Sequence, residues 1–280
     1  MQKIDAHQHF WRPGRGDYGW MPKDNAILNR DYDPADLAPF LSGAGIDGTV
    51  LVQAAPTVAE TDFMLSLAAE AQFIKGVVGW IDFENRDDLR QLERLKSNPR
   101  FKGVRPMIQD IPDVDWMLRP EIAWAFDALV DLDLTFDALG YPQHIENFAR
   151  LLSARPNLRT VIDHCLKPRI REDDPDHLRD WADGMKRLAQ ETNAALKFSA
   201  LVTEDRDDWT IDRLRPYALA AIDAFGADRT MWGSDWPVAR LRCEYPDWLS
   251  AAKALTQHLP APDRDRIFGG TAIEFYRLTD

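Results

Sequence analysis

Long apolar runs are missing from this 280-residue chain, and their absence excludes a helix that spans a membrane. Cysteine is scarce as well, because Cys165 and Cys243 are the only two and cannot build a disulfide framework. The first residues lack a basic segment followed by an apolar stretch, so we expect no secretory signal and a cytoplasmic protein. Basic residues number 34 against 46 acidic ones, and the net charge of −12 argues against binding of nucleic-acid phosphates.

Short apolar runs alternate with longer amphipathic ones along the whole chain. We predict eight strands, over residues 3–7, 48–53, 76–82, 101–106, 134–138, 160–164, 195–199 and 229–233. Helices are predicted over 34–42, 60–72, 87–96, 121–131, 142–154, 176–192 and 211–225, and from Pro246 onward. Eight strand–helix repeats imply a parallel sheet closed into a (β/α)8, or TIM, barrel. No linker interrupts the pattern, so one α/β domain over residues 1–280 is expected, with the irregular segment 11–29 as a loop over the barrel mouth.

Polar side chains end most of the predicted strands. His7 and His9 close the first strand, and residues two apart in a strand point to the same side of the sheet. His164 ends the sixth strand and Asp235 follows the eighth. Active sites of (β/α)8 barrels lie at the C-terminal ends of the strands, so these four side chains are predicted to meet there. The other strands place four further polar residues at or near the same rim: Gln53, Arg105, Asp137 and Lys197.

Each of these residues also has a structural interpretation. A lone histidine such as His164 is often a satisfied core residue, and an aspartate such as Asp235 often caps a helix or turn. An arginine such as Arg105 commonly pairs with a structural carboxylate. Lys197 alternates with apolar neighbours, a pattern that also fits a side chain pointing toward helices and solvent, and Cys165 is interpreted as a small buried residue. Three histidines and one aspartate at the mouth of one predicted barrel nevertheless favour a common site.

Four segments together resemble the lactonase branch of the amidohydrolase superfamily: Asp5 to Trp11, Asp163 to Pro168, Lys197 to Leu201 and Trp232 to Pro237. That branch includes sugar-acid lactonases acting on fuconolactone and rhamnonolactone, and the pyrone dicarboxylate lactonase. The resemblance extends from His7 to Asp235, which is most of the chain. It implies that His7, His9, His164 and Asp235 are the catalytic residues and the ligands of any metal.

Two positions depart from the pattern of binuclear members of the superfamily. Those members use a carboxylated lysine or a glutamate at the end of the fourth strand and a histidine at the fifth. Here Arg105 and Asp137 stand at these places, and Lys102 comes early in its strand. The resemblance therefore implies at most one divalent ion, for which zinc suits imidazole and carboxylate ligands, or activity without metal.

The resulting functional hypothesis is hydrolysis of a small lactone, preferably a sugar aldonolactone. Asp235 would act as general base, and the histidines would polarise the carbonyl directly or through a metal. Seven residues are predicted to bind the substrate: Arg105, Gln53, Asp137, Lys197, Trp11, Trp20 and Trp236. The alternative is a metal-dependent decarboxylase of an aromatic or unsaturated acid in the same superfamily. A small-molecule substrate is the only partner expected, with no nucleic acid or membrane, and no oligomeric state follows from the sequence.

Overall fold

The apolar runs form one parallel eight-stranded sheet. In the computed structural model, which describes residues 1–279, neighbours in sequence are neighbours in the sheet, in the order β1 to β8. This arrangement confirms the predicted (β/α)8 barrel. The strands are β1 (Ile4–Gln8), β2 (Gly48–Val52), β3 (Ile74–Gly79), β4 (Phe101–Val104), β5 (Thr135–Ala138), β6 (Thr160–Ile162), β7 (Ala195–Ser199) and β8 (Thr230–Gly233).

Helices follow the strands on the outside of the barrel. They are α1 (Pro34–Ala44), α2 (Val58–Glu70), α3 (Leu89–Lys96), α4 (Ala123–Asp131), α5 (Ile145–Ala154), α6 (Pro175–Glu191), α7 (Ile211–Phe225), α8 (Tyr245–Thr256), α9 (Ala261–Asp265) and α10 (Thr271–Tyr276). Side-chain caps mark several starts, as where the Thr57 side chain accepts a hydrogen bond from the Glu60 backbone N–H and Thr210 accepts one from Arg213. Within residues 1–279, no helix has both the length and the apolar character needed to cross a membrane.

Inside the barrel, the inward-facing side chains form a separate apolar core. Its buried members are Ile4, Ala6, Val50, Val52, Val78, Val161, Ala195 and Met231, together with Ala272 and Tyr276 of α10. The chain just before α10 packs at the start of β1, where Gly269 approaches the Gln2 carbonyl so closely that a Cβ would lie 2.0 Å from the oxygen. The helix therefore covers the end of the barrel away from the predicted active site.

A β-bulge in β1 prepares the position of His7. Asp5 pairs with Thr49 and Gln8 pairs with Leu51, so β1 has one residue more than β2 between the two pairs. Two consecutive residues, Ala6 and His7, can then both face the interior of the barrel. Backbone hydrogen bonds of the site residues close the barrel between β8 and β1. Asp235 N donates to the His7 carbonyl over 2.8 Å, and His9 N donates to the Trp236 carbonyl over 2.7 Å.

Several predicted element bounds were wrong. Three strands end one or two residues earlier than predicted, so Gln53, Arg105 and His164 lie just beyond β2, β4 and β6. Pro106 lacks the N–H that a longer β4 would need. The predicted continuous C-terminal helix is broken into α8, α9 and α10, because the chain leaves the helix after Thr256 and Pro260 precedes the next one. The turns between elements were predicted less well than the elements themselves.

Candidate active site

Four side chains meet at the C-terminal ends of the strands, and we call them the mouth cluster: His7, His9, His164 and Asp235. Asp235 Oδ1 lies 3.1 Å from His9 Nε2, 3.7 Å from His7 Nε2 and 3.9 Å from His164 Nε2. The Nε2 atoms of His7 and His9 are 3.1 Å apart. The packing of β8 against β1 is part of this arrangement, since a Cβ on Gly233 would lie 2.7 Å from that of His7.

Hydrogen bonds at the far nitrogens distinguish the first two histidines. His9 Nδ1 lies 2.7 Å from the Val52 carbonyl, which can only accept, so the Nδ1 of His9 carries the proton and its Nε2 carries a lone pair. His7 has a donor near each nitrogen, since Lys197 Nζ lies 3.1 Å from Nδ1 and Arg105 Nη1 lies 3.4 Å from Nε2, and the Asp163 carboxylate lies 3.6 Å from Nδ1 as an acceptor. His9 therefore offers an acceptor to the mouth of the barrel, whereas His7 has a partner at each of its nitrogens.

The imidazoles are uncharged near neutral pH, whereas the carboxylate is ionised. Burial lowers the pKa of His9, and it lowers the pKa of His164 to about 4 against the attraction of Asp235. The pKa of His7 is held well below its usual range by burial and by the charge of Lys197. Burial alone would raise the pKa of Asp235, but the three imidazoles outweigh it and lower that pKa. Neutral imidazoles and an ionised carboxylate are the forms needed for metal binding or general base catalysis.

The donor set fits a single cation. His9 Nε2 and Asp235 Oδ1 are both acceptors, and they lie 3.1 Å apart in a buried position. A cation or a proton between them would reduce the repulsion between their lone pairs. The ligand atoms of His7, His9 and Asp235 all lie within 4.8 Å of one another. His7 can bind an ion through Nε2 when its proton is on Nδ1, where the Asp163 carboxylate, 3.6 Å away, is the acceptor.

A left-handed turn presents His164. Residues 164–167 all have positive φ, between 49° and 55°, although none is glycine. Such a conformation costs on the order of 1–2 kcal/mol per residue, so the surroundings must hold it in place. His164 Nδ1 lies 2.8 Å from Ser199 Oγ, and the Trp181 indole N–H donates to the Cys165 carbonyl over 3.0 Å. Cys165 and Leu166 are fully buried, which adds packing to these bonds.

Below the mouth cluster lies a second group of polar residues, which we call the interior cluster: Lys197, Asp137, Asp163 and Tyr276. Lys197 Nζ is 2.5 Å from Asp137 Oδ2 and 3.1 Å from Asp163 Oδ1. The Tyr276 hydroxyl donates to Asp137 Oδ2 over 2.7 Å. Burial raises the pKa of the Asp163 carboxyl, but the attraction of Lys197 and His7 is stronger and holds that pKa well below its usual range. His7 joins the two clusters, because each of its nitrogens faces one of them.

A cavity of about 250 Å³ opens above the mouth cluster. Of the predicted site residues, six line it: His9, Trp11, Trp20, Arg105, His164 and Asp235. Small-molecule sites commonly measure ~300–1,000 Å³, so this one suits a ligand with a single ring. Trp20 covers the edge of the cavity while its indole N–H donates to the Ala54 carbonyl over 2.6 Å.

The remaining predicted substrate-binding residues lie outside the cavity lining. Asp137 and Lys197 are buried in the interior cluster, and Lys197 points into the barrel rather than to solvent. Gln53 and Arg105 hold each other, since each side chain donates to the other residue's carbonyl. Trp236 packs edge-on against Tyr32 at 5.0 Å between ring centres. A position near a strand end did not show how deep these side chains lie in the barrel. Two residues along a strand correspond to about 7 Å of depth.

Several lining residues were missed by the sequence reasoning. They come from the loops that follow the strands: Ala54, Met107, Gln109, Asp110, Leu139, Lys167 and Val238. Most carry no chemical signal that would single them out in one sequence. Lys167 is the exception, because it stands three residues after His164 in one of the segments that carry the family resemblance.

Arg105 and Lys102 are the cationic residues at β4, where the resemblance implies the bridging ligand of a binuclear centre. Arg105 stands just after β4 with Nη1 3.4 Å from both His7 Nε2 and Asp163 Oδ2. Lys102 is turned away from the site and donates to the Arg277 carbonyl over 3.2 Å. That the bridging ligand of a binuclear centre is replaced here stays a prediction.

A (β/α)8 barrel with a histidine and aspartate cluster at its mouth defines a class of barrel enzymes of the amidohydrolase type. The chain belongs to the amidohydrolase family, whose sequence profile matches residues 4–278. A relative from Burkholderia ambifaria, an L-fucono-1,5-lactonase, is 40% identical over 280 residues, covering 99% of this chain and 96% of the relative. An L-fucono-1,5-lactonase from Burkholderia multivorans is 31% identical, and the alignment covers 99% of this chain and 97% of the relative.

Solved structures agree with this assignment. The crystal structure of an amidohydrolase from Burkholderia multivorans with bound Zn superposes with a TM-score of 0.93 at 31% identity, covering 100% of both chains. A 2-pyrone-4,6-dicarboxylic acid hydrolase-like structure from Acinetobacter baumannii has a TM-score of 0.79 at 17% identity, covering 99% of this chain and 100% of that chain. At that identity, the second likeness concerns the fold alone.

Proposed function

We propose that the protein is a lactonase that hydrolyses a sugar aldonolactone, with L-fucono-1,5-lactone as the first candidate. The observation that carries the proposal is the mouth cluster at the base of a cavity sized for one ring, in a chain that is 40% identical to an L-fucono-1,5-lactonase along nearly its whole length. The small lactone as the only partner and the cytoplasm as compartment remain predictions from the sequence.

In the proposed reaction, a water molecule attacks the lactone carbonyl carbon while Asp235 accepts its proton. The negative charge then develops on the carbonyl oxygen. The Arg105 guanidinium, whose Nη1 lies 3.4 Å from His7 Nε2, is a donor placed to stabilise it, and His7 is a second donor when its proton is on Nε2. Collapse of the tetrahedral intermediate breaks the bond between the carbonyl carbon and the ring oxygen. Asp235 returns the proton to that oxygen, and the product is an open-chain hydroxy acid.

A single divalent ion, zinc by preference, is part of the proposal. His7, His9, His164 and Asp235 would hold it, and the related Burkholderia multivorans amidohydrolase contains Zn. When bound, such an ion supplies a Lewis acid beside the lactone carbonyl. With the ion bound, the Asp163 carboxylate, which lies 3.6 Å from His7 Nδ1, would orient His7, and the Val52 carbonyl would still orient His9.

A panel of lactones tests the function. Purified protein is assayed with a pH indicator against aldono-1,4- and 1,5-lactones, a muconolactone and a pyrone dicarboxylate, while gas release is followed with aromatic and unsaturated acids. We expect acid release from sugar lactones. Turnover of only the muconolactone or pyrone would contradict the substrate class, and carbon dioxide release would contradict hydrolysis altogether.

The metal is tested separately. We expect elemental analysis to find about one zinc per chain, and chelation to lower activity that added zinc restores. Full activity in metal-free protein would contradict a catalytic ion and leave the polarisation of the carbonyl to His7 and Arg105.

A further inference from the structure

Lys167 is a charged side chain in the cavity that the proposed mechanism does not use. It lines the cavity together with His164, Arg105 and Asp235. Its ammonium donates one hydrogen bond to Gln109 Oε1 over 2.6 Å, and within residues 1–279 this is its one hydrogen bond. An ammonium has three donors, so two remain for a ligand.

The backbone explains why Lys167 faces the cavity. Lys167 N donates to the His164 carbonyl over 2.8 Å, which closes a turn of three residues. In such a turn, side chains three residues apart lie on the same side. The left-handed conformation of residues 164–167 therefore displays His164 and Lys167 together, while Cys165 and Leu166 are buried. A strained conformation that persists at a site is evidence that both displayed side chains have a task there.

The cavity lining is polar around Lys167 and apolar elsewhere. Gln109 and Asp110 follow one another in the loop after β4, and both line the cavity. Gln109 holds the ammonium, and the Asp110 carboxylate can accept hydrogen bonds from a ligand. Other parts of the lining are apolar, as at Met107, Leu139 and Val238. Donors and acceptors close together, combined with an apolar wall, match a ring that carries several hydroxyl groups.

We propose that Lys167, held by Gln109, is a specificity-determining residue that binds hydroxyl groups of the sugar lactone. This inference rests on the proposed lactonase function and adds to it the part of the site that distinguishes a polyhydroxylated lactone from a plain one. A buried or half-buried donor that loses its partner is costly, so such a site favours substrates that carry the matching hydroxyl.

The test compares two lactones of the same ring size. L-fucono-1,5-lactone carries ring hydroxyls, whereas δ-valerolactone carries none. The constants kcat and KM are measured for wild type, Lys167→Met, Lys167→Arg and the control Lys102→Met. The control removes a lysine that lies away from the site and is hydrogen-bonded to the Arg277 carbonyl. Thermal melts verify that all four proteins are folded.

We expect Lys167→Met to lower kcat/KM for the sugar lactone by about 10- to 100-fold, mainly through KM, as loss of a charge-assisted hydrogen bond predicts. Its kcat/KM for δ-valerolactone should stay within about twofold of wild type. Lys167→Arg, which keeps donors and charge, should recover part of the loss, and Lys102→Met should resemble wild type with both lactones.

Two outcomes for Lys167→Met overturn the inference alone. One is an equal loss of kcat/KM with both lactones, which places Lys167 in the chemical step or in folding. The other is an unchanged kcat/KM for the sugar lactone. A wild-type enzyme that opens no aldonolactone of the panel overturns the proposed function, and the inference with it. The two failures are therefore told apart by the wild-type rates.

Discussion

The mouth cluster and the interior cluster contain similar side chains but differ in their surroundings. His9, His164 and Asp235 retain between 3% and 5% exposure and face a cavity, whereas Lys197, Asp137 and Asp163 retain none. In the interior cluster, each carboxylate has a cation or a hydroxyl against it. In the mouth cluster, a carboxylate faces a lone pair of His9. A buried carboxylate with a cation against it is typical of a structural role, and a contact between two acceptors that opens to a cavity is typical of a site that binds something.

The largest effect is expected at the mouth. Asp235→Asn removes the general base, so kcat should fall by about 10²- to 10⁴-fold. The barrel should still fold, because asparagine has the same shape and its amide can donate to His9 Nε2. Kinetics and a thermal melt measure the two effects. Asp127→Asn, an exposed partner of Arg155, is the matched control. Turnover close to wild type in Asp235→Asn would remove the base assignment.

The interior cluster should respond in the opposite way. Lys197→Met takes a cation from between two buried carboxylates, and breaking a buried ion pair costs about 3–5 kcal/mol in the free energy of unfolding. Urea denaturation at neutral pH measures this loss. Lys102→Met, which removes a half-buried lysine that has no carboxylate partner within residues 1–279, should change stability by roughly 1 kcal/mol or less. Equal stabilities for the two variants would break the distinction between the clusters.

Glu60 sharpens the comparison, because it is a buried carboxyl that belongs to neither cluster. It accepts backbone N–H bonds from Ala54 and Ala55, and burial raises its pKa from 4.5 to about 8. The folded state therefore holds a proton that the unfolded state has already released. Its contribution to stability is present below pH 4.5 and is lost as the pH rises through about 8.

Glu60→Gln removes this titration. Between pH 5 and 8, the free energy of unfolding of wild type should fall relative to the variant by about 1.4 kcal/mol per pH unit. Urea titrations of both proteins across this range measure the difference, in which the contributions of all other groups cancel. Stability curves that run parallel would show that Glu60 stays ionised in the folded protein.

The smallest effect is expected at the edge of the cavity. Trp20 is 38% exposed and lines the cavity, so Trp20→Ala should raise KM for a sugar lactone by about 3- to 10-fold with little change in kcat. Ile27→Ala removes an equally exposed apolar side chain that does not line the cavity, and it should leave KM unchanged. A KM that is the same in both variants would exclude Trp20 from substrate contact.

Much of the architecture followed from pattern alone. Eight apolar runs separated by amphipathic ones are enough to predict a closed parallel barrel, and the rule that its active site lies at the C-terminal strand ends placed His9, His164 and Asp235 at one mouth. Depth along a strand did not follow from pattern. Lys197 and Ser199 are two residues apart in β7, yet one joins the interior cluster and the other contacts His164.

The sequence by itself determined the barrel, the family and the set of histidine and aspartate residues, because periodicity and residue type are local properties. Only the tertiary structure decided which of those residues face the cavity, which nitrogen of His9 carries the proton, and that Lys197 belongs to the interior while Lys167 belongs to the mouth. The physical reason is that these properties depend on partners distant in sequence: the Val52 carbonyl for His9, the Lys197 ammonium for His7, and the left-handed turn packed against Ser199 and Trp181 for His164 and Lys167.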